Sequence, residues 1–485
     1  MGILAAFMVP HPPMIIPEIG RGREESVRET IDAYEKVAGE IAKLKPETII
    51  ITSPHSIMYA DYFHISPGRG AKGSFSEFGA PEVSFNETYD EILRDKICEK
   101  AEKNGISAGT LGEKKPELDH GTMVPLWFIR RKYSGGKIIR IGLSGFGLFE
   151  HYKLGECIKE AVDETGRNVC FVASGDLSHK LQEYGPYGFD PEGPVYDEKI
   201  MDVAGRAAFG EMLEFKNELC EKAAECGHRS FVIMAGALDG VSVKAKVYSH
   251  QGVTGVGYGI ASFYPIGTDE NRHFRKKRME QLRADLGTGK KDKDPYVSLA
   301  RQTVESYILT GNVTELENYV LNGKARNNET NVFERSTSGI ANELPQEMLE
   351  KRAGAFVSIH KEGQLRGCIG TILPTTACLA KEIIQNAISA STRDPRFNPI
   401  GPEELTALEI SVDVLSEPES IDSPDKLDVK KYGVIVTSGS KRGLLLPDLD
   451  GVDTVEEQVA IARRKGGIRP EEPIQLQRFE VIRHI

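Results

Sequence analysis

The chain has 485 residues, 40% of them hydrophobic and 27% charged, with a formal net charge of −11. That length calls for two or more domains, and that composition for globular ones whose cores need no disulfide or metal staples. The negative charge speaks against nucleic acid as main partner, and seven cysteines without a C-x-x-C pair give neither a disulfide framework nor a zinc ribbon. A reducing cytoplasm fits this cysteine usage. No run is long enough to cross a membrane, and Pro10 cuts the first apolar run short of a secretory signal.

Ile3 to Val9 is a continuous apolar run, the pattern of a strand buried on both faces. It stops at Pro10-His11-Pro12-Pro13. His11 should therefore sit on a stiff loop at a strand's C-terminal edge, where open α/β sheets place ligands. Val27, Ile31, Tyr34, Val37, Ile41 and Leu44 form one helical stripe, which Pro46 ends. Thr48 to Thr52 is a second, β-branched strand, and it runs into Ser53-Pro54-His55. In a right-handed βαβ unit the two strands are parallel, so both histidines reach the same sheet edge. Residues 60–90, rich in Gly, Ser, Phe and Pro, read as an irregular excursion suited to a pocket wall. A helix follows over Tyr89 to Lys103. Leu118-Asp119-His120-Gly121 then puts a third histidine at the start of a helix bearing Trp127.

Lys137 to Leu143 is a strand, and Leu154, Ile158, Ala161 and Val162 mark a helix. The strand Asn168 to Ala173 ends in Ser174-Gly175-Asp176-Leu177-Ser178-His179. Here the strand-then-histidine pattern returns, with Asp176 placed either to orient the imidazole or to cap the turn. Two helical stretches cover 194–224. Glu225-Cys226-Gly227-His228 then precedes an apolar helix, Phe231 to Leu238, and could supply a metal ligand. Strands Ser242 to Ser249 and Gly255 to Tyr264 close the domain. No helix follows the glycines at 252, 255, 257 and 259, so they imply no phosphate loop.

The expected organisation is α/β: a mostly parallel sheet flanked by helices over 1–267, then a smaller α+β domain over 295–485. The charge-dense stretch 268–294 reads as a linker, in part helical. Pro295 opens a helix through Ile308, and 311–350 is polar and irregular. Strands at Gly354–His360 and Leu365–Ile372 flank a hairpin loop at 361–364. A helix near 379–387, strands near 407–415, 432–437 and 442–446, a helix at 454–464 and a strand at 475–483 complete it. With a four-residue loop, Cys368 would pair with Val357 and face away from His360, so they form no dyad unless a bulge shifts register. Cys368 then reads as a small half-buried cysteine. Arg366, Arg393 and Arg396 form either an anion site or a solvated rim.

His11, His55, His120, His179 and the Glu225/Cys226 pair suit a metal centre. Two imidazoles and one carboxylate favour iron(II) with open positions. His11-Pro12-Pro13, Ser53-Pro54-His55, Leu118-Asp119-His120-Gly121-x-x-x-Pro125-Leu126 and Ser174-Gly175-Asp176-x-Ser178-His179 resemble the class III, LigB-type extradiol ring-cleavage dioxygenases. The resemblance covers about residues 1–265. It implies an oxidoreductase in which His11, His55 and Glu225 hold Fe(II), His179 is the acid/base and His120 contacts substrate or oxygen. Its substrates would be dioxygen and a catecholic or related aromatic compound. Cys226-Gly227 also resembles the related Memo proteins, in which a cysteine occupies that region. These share the fold and imply a metal-binding, redox or interaction module; with Cys226 as the ligand, its thiolate would favour copper(I) or zinc. Residues from about 295 resemble the AMMECR family through Gly354-Ala355-Phe356-Val357, Arg366-Gly367-Cys368-Ile369-Gly370 and Asp394-Pro395-Arg396-Phe397. The fusion resembles AmmeMemoRadiSam systems, which implies a radical-SAM protein as partner.

Overall fold

The computed structural model describes residues 2–112, 114, 117–288, 292–316, 344–449 and 451–485. The chain divides into two compact units, Met1–Gln281 and Leu282–Ile485.

The first unit is built on a six-stranded sheet. Its strands are β1 (Gly2–Val9), β2 (Thr48–Ser53), β3 (Lys137–Gly142), β4 (Asn168–Ser174), β5 (Val241–Gln251) and β6 (Tyr258–Thr268), in the order β3-β2-β4-β1-β6-β5. β1, β2, β3 and β4 pair in parallel, while β6 joins β1 and β5 antiparallel. The apolar run of β1 is buried on both sides, because successive side chains alternate faces. Ala5, Phe7 and Val9 enter one core; Ala6 and Met8 enter the other. Helices α1 (Arg28–Leu44) and α2 (His120–Arg130) cover the first face with Tyr34, Val37, Val124 and Phe128. Helices α3 (Leu148–Thr165) and α4 (His228–Ala237) cover the second with Tyr152, Leu154, Phe231 and Ile233. Because β1 to β4 are parallel, β1, β2 and β4 all deliver their C-terminal ends, and the loops after them, to one edge.

Residues 60–90 differ from expectation. They contain an antiparallel pair, Gly70–Phe75 with Ala80–Thr88, rather than an irregular loop. Glycine and serine dilute the alternation that would reveal these strands. The pair turns Phe78 and Phe85 against Phe75, and Phe78 reaches the His120 ring at 5.4 Å.

The charged stretch after β6 holds a helix, α5 (Phe274–Thr288); residues 289–291 of the expected linker lie outside the described residues. The unit boundary falls within α5. Fragments 1–281 and 282–485 should each unfold cooperatively in urea, with transitions that together reproduce those of the intact chain. A single transition that neither fragment shows would contradict this.

The second unit is an antiparallel sheet. Strands β7 (Ala355–Lys361), β8 (Gln364–Gly370), β9 (Leu408–Leu415), β10 (Tyr432–Ser438), β11 (Lys441–Leu445) and β12 (Gln475–His484) run β8-β7-β9-β12-β10-β11. Helix α6 (Leu379–Thr392) and the helix Pro295–Thr310 fill its core with Ile383, Ala387, Leu299 and Val304. Most of the polar stretch 311–350, residues 317–343, lies outside the described residues.

The hairpin register corrects the expected one. The turn is two residues, Glu362 and Gly363, both at positive φ, the geometry of a primed turn. His360 does pair with Leu365, but a register shift follows and Cys368 lies opposite Ser358. Ser358 and His360 are two apart, so Cys368 and His360 share a face after all. The contact Cys368 makes there is with Ser358, whose hydroxyl donates to Sγ at 3.2 Å.

Candidate metal centre

Each strand end places its group by local chemistry. After β1, Pro10, Pro12 and Pro13 stiffen the chain, and the His11 ring is tied from behind. The Ser174 hydroxyl donates to the Gly121 carbonyl at 2.6 Å, so its oxygen accepts from His11 Nδ1 at 3.0 Å. That fixes the Nδ1–H tautomer and leaves the Nε2 lone pair facing inward. The His11 amide donates to Asp176 Oδ1 at 2.7 Å.

His55 follows β2. Its amide donates to Ser53 Oγ at 3.2 Å, and Ser53 donates to Asp119 Oδ1 at 2.5 Å. Asp119 caps α2 by accepting from the Thr122 amide and hydroxyl, with the buried Arg140 guanidinium 3.6 Å away. One carboxylate therefore sets both the His55 loop and the helix start that bears His120. Gly121 is needed here, because a Cβ would lie 2.4 Å from Ser53 Oγ.

These residues meet. His55 Nε2 is 3.0 Å from His11 Nε2, and Cys226 Sγ is 3.6 Å from His11 Nε2. The ligand atoms of His11, His55 and Cys226 lie within 4.8 Å of one another, as do those of Asp176, His179 and Cys226. The His120 ring lies 4.0 Å from that of His55. His179 stacks on Tyr187 at 5.0 Å, and its Nε2 is 4.0 Å from Asp176 Oδ2.

Glu225, expected as the third ligand, belongs to neither set. Its carboxylate turns to the start of α4 and accepts from the His228 amide at 2.6 Å. Adjacent residues at a helix entry point apart, so capping by Glu225 sends Cys226 to the histidines. His228 is equally remote from the cluster: its Nδ1 meets the Tyr196 hydroxyl at 3.2 Å and its Nε2 the Met212 carbonyl at 2.9 Å.

Burial makes this a pocket of neutral donors. It holds His11 well below its ordinary value, aided by His55, and lowers His55 as well. Burial, then repulsion from His55, brings His120 and His179 down to about 4. Asp176 is pushed up to about 7 by burial, against the pull of the His11 amide, and Glu225 likewise reaches about 7. The Cys226 thiol is raised well above its usual value by burial and then by Asp176 and Glu225. A bound cation would displace the thiol proton and supply the charge the pocket lacks. The 3.6 Å between Cys226 Sγ and His11 Nε2 fits such an ion, and the 3.0 Å between the two imidazoles is a few tenths of an ångström short of it. Tetrahedral coordination with bonds of about 2.0–2.1 Å to nitrogen and 2.3 Å to sulfur separates neighbouring donors by roughly 3.3–3.6 Å. Two imidazoles and a thiolate are a donor set that suits zinc or copper(I), and Glu225, the carboxylate expected for an iron(II) facial triad, is engaged with the start of α4.

The lowered histidines set an acid limit. His228, fully buried, is brought down to about 4 from an ordinary 6.5. Between those values the unfolded chain binds the proton and the folded one does not, so stability rises with pH there and is lost as pH falls. The metal-free protein should lose about 1.4 kcal/mol per pH unit for such a group. Asp176 and Glu225, raised to about 7, act in the opposite sense over the same range, so urea unfolding at pH 7 and pH 5 is compared between the wild type and His228→Gln; the same pH dependence in both would refute the His228 contribution.

In the second unit the arginines do not gather into an anion site. Arg366 pairs with Glu404 at 3.0 Å and also donates to the Asn398 and Pro399 carbonyls. Arg396 pairs with Asp394, which accepts from the Cys368 amide at 2.9 Å. Arg393 borders a separate groove with Tyr307, Lys381 and Gln385. Among residues the sequence did not single out, Ser174 and Ser53 matter most. Their signal was position, at the last residue of a buried strand, beside a proline or a glycine.

Fold and site together define the class: an α/β domain with a His/Cys cluster able to hold a metal ion at the C-terminal edge of its parallel strands. The profile of the family described as the catalytic LigB subunit of aromatic ring-opening dioxygenase matches residues 5–261, and that of AMMECR1 matches residues 297–484. The chain belongs to the LigB family, with an AMMECR1 domain fused behind its LigB domain. A Clostridium acetobutylicum protein is 39% identical over 493 residues, covering 100% of this chain and 99% of that protein. A Thermotoga maritima protein is 47% identical over 193 residues, 39% of this chain and 97% of its own length. Among solved structures, an uncharacterized Pyrococcus horikoshii protein is 31% identical, with a TM-score of 0.31, covering 40% of this chain and 93% of that one. No helix among the described residues is long and apolar enough to cross a membrane.

Proposed function

We propose that the LigB-family domain is a Memo-like metal-binding module, in which His11, His55 and Cys226 hold a zinc-class or copper(I) ion. The observation that carries this reading is the placement of Cys226 Sγ, 3.6 Å from His11 Nε2, while Glu225 caps α4. When bound, such an ion supplies a Lewis acid or a one-electron centre. The protein's own part is to fix the His11 tautomer through Ser174, anchor His55 through Ser53 and Asp119, and keep the two imidazoles neutral by burial. On this reading the AMMECR1 domain and a radical-SAM protein are its working partners. Ring cleavage of a catechol by iron(II) is the second reading. Its support is the family's description and the four histidines at one sheet edge.

One experiment separates the two. The metal-free protein is reconstituted anaerobically with iron(II), zinc or copper(I) in turn, then exposed to air with a panel of catechols. We expect tight zinc and copper(I) binding and no ring-opened product with any metal. Iron-dependent formation of a ring-opened product would reverse the assignment.

A further inference from the structure

The cluster offers more donors than one ion can use. The ligand atoms of Asp176, His179 and Cys226 form a second mutually close set, and Cys226 is the one residue common to both sets. The five donors do not merge into a single such set. Two ligands of one ion lie no farther apart than the sum of their bonds, about 4.0–4.6 Å for nitrogen, oxygen and sulfur donors. A single ion therefore cannot take all five without rearrangement.

The chain positions the second set as deliberately as the first. The loop 174–179 is laced to the loop before α4. The Asp176 amide donates to Cys226 Sγ at 3.3 Å, the Gly227 amide to the Asp176 carbonyl at 3.0 Å, and the His179 amide to the Ala223 carbonyl at 3.0 Å. Asp176 uses Oδ1 on the His11 amide, and Oδ2 faces His179. His11 thus anchors to the very carboxylate of the second set, which couples the two positions mechanically.

We infer that this pocket is a dinuclear centre. One ion sits on His11, His55 and Cys226, a second on Cys226, Asp176 and His179, and the Cys226 thiolate bridges them. This rests on the metal-binding reading above. A shared sulfur keeps the ions within about 4 Å, the separation common in two-metal sites. The first position offers two nitrogens and sulfur. The second offers oxygen, nitrogen and sulfur and so takes a borderline divalent ion such as zinc or cobalt(II). His179 then acts as a ligand rather than as a free acid/base.

The test is the stoichiometry of cobalt(II) binding to the metal-free full-length protein under anaerobic conditions. It is followed by equilibrium dialysis and by thiolate-to-cobalt charge-transfer absorption. The wild type should bind two equivalents. Asp176→Asn, which keeps an acceptor for the His11 amide, and His179→Gln should each bind one and retain the charge-transfer band. His11→Gln should also bind one, and Cys226→Ser should lose both ions and the band. Near-UV circular dichroism establishes that each variant is folded. One equivalent in the wild type, unchanged in Asp176→Asn and His179→Gln, would overturn the second position and leave the first intact. Two equivalents retained in Cys226→Ser would overturn the bridge. No binding by the wild type would remove both this inference and the reading it rests on.

Discussion

Cys226→Ser should strip the N-terminal domain of its metal, while Glu225→Gln should leave its metal content near that of the wild type. The two residues are neighbours, yet the structure gives them different work. Cys226 Sγ lies 3.6 Å from His11 Nε2, and Glu225 accepts from the His228 amide at 2.6 Å. Outer partners of a metal ligand typically change affinity by about 10–100-fold. Loss of a direct thiolate donor should exceed that range. A glutamine at 225 still presents an amide oxygen to the His228 N–H, so α4 should keep its start and Cys226 its direction. The measurement is zinc and copper(I) affinity in both variants by competition with a chelator. Metal lost in Glu225→Gln and kept in Cys226→Ser would return the site to the two-histidine, one-carboxylate pattern and to iron(II).

Gly175→Ala should damage the site without touching a ligand. A Cβ at 175 would lie 2.1 Å from the Gly227 Cα. The obstacle is backbone, so no rotamer change relieves it, and the two loops must separate. Those loops carry Asp176 and Cys226. Overpacking of this kind costs about 1–3 kcal/mol in stability. It should also weaken metal binding by at least about tenfold, comparable to the loss of an outer partner. Urea unfolding and metal competition read the two effects separately. Wild-type metal affinity in a destabilised Gly175→Ala would show that the loop contact holds the fold but does not set the site.

Much of the first unit was legible because its signals are local. A seven-residue apolar run closed by prolines, and a β-branched run ending Ser-Pro-His, each report a buried strand and its stop from neighbouring residues alone. Parallel pairing then follows from the handedness of βαβ connections, which is why His11 and His55 could be assigned to one edge before any coordinates, with His179 at the end of a third such strand. Asp176 and His120 came with the same motifs, and the two-part organisation came from the charged stretch between them.

What the sequence by itself determined, then, is the set of groups at that edge; which of them meet was decided by the tertiary structure. The choice between Glu225 and Cys226 depends on the start of α4 and on the approach of Gly227 to Gly175, 52 residues away along the chain by their numbers. No periodicity encodes that contact. The partner of Cys368 likewise turned on one register shift in β7 and β8, which moved it from Val357 to Ser358. The hairpin within residues 60–90 is held by a ladder its Gly- and Ser-rich composition does not announce. In each case the deciding free energy lies in backbone packing and hydrogen bonding between segments distant in sequence or shifted by one residue. Local patterns carry no record of either.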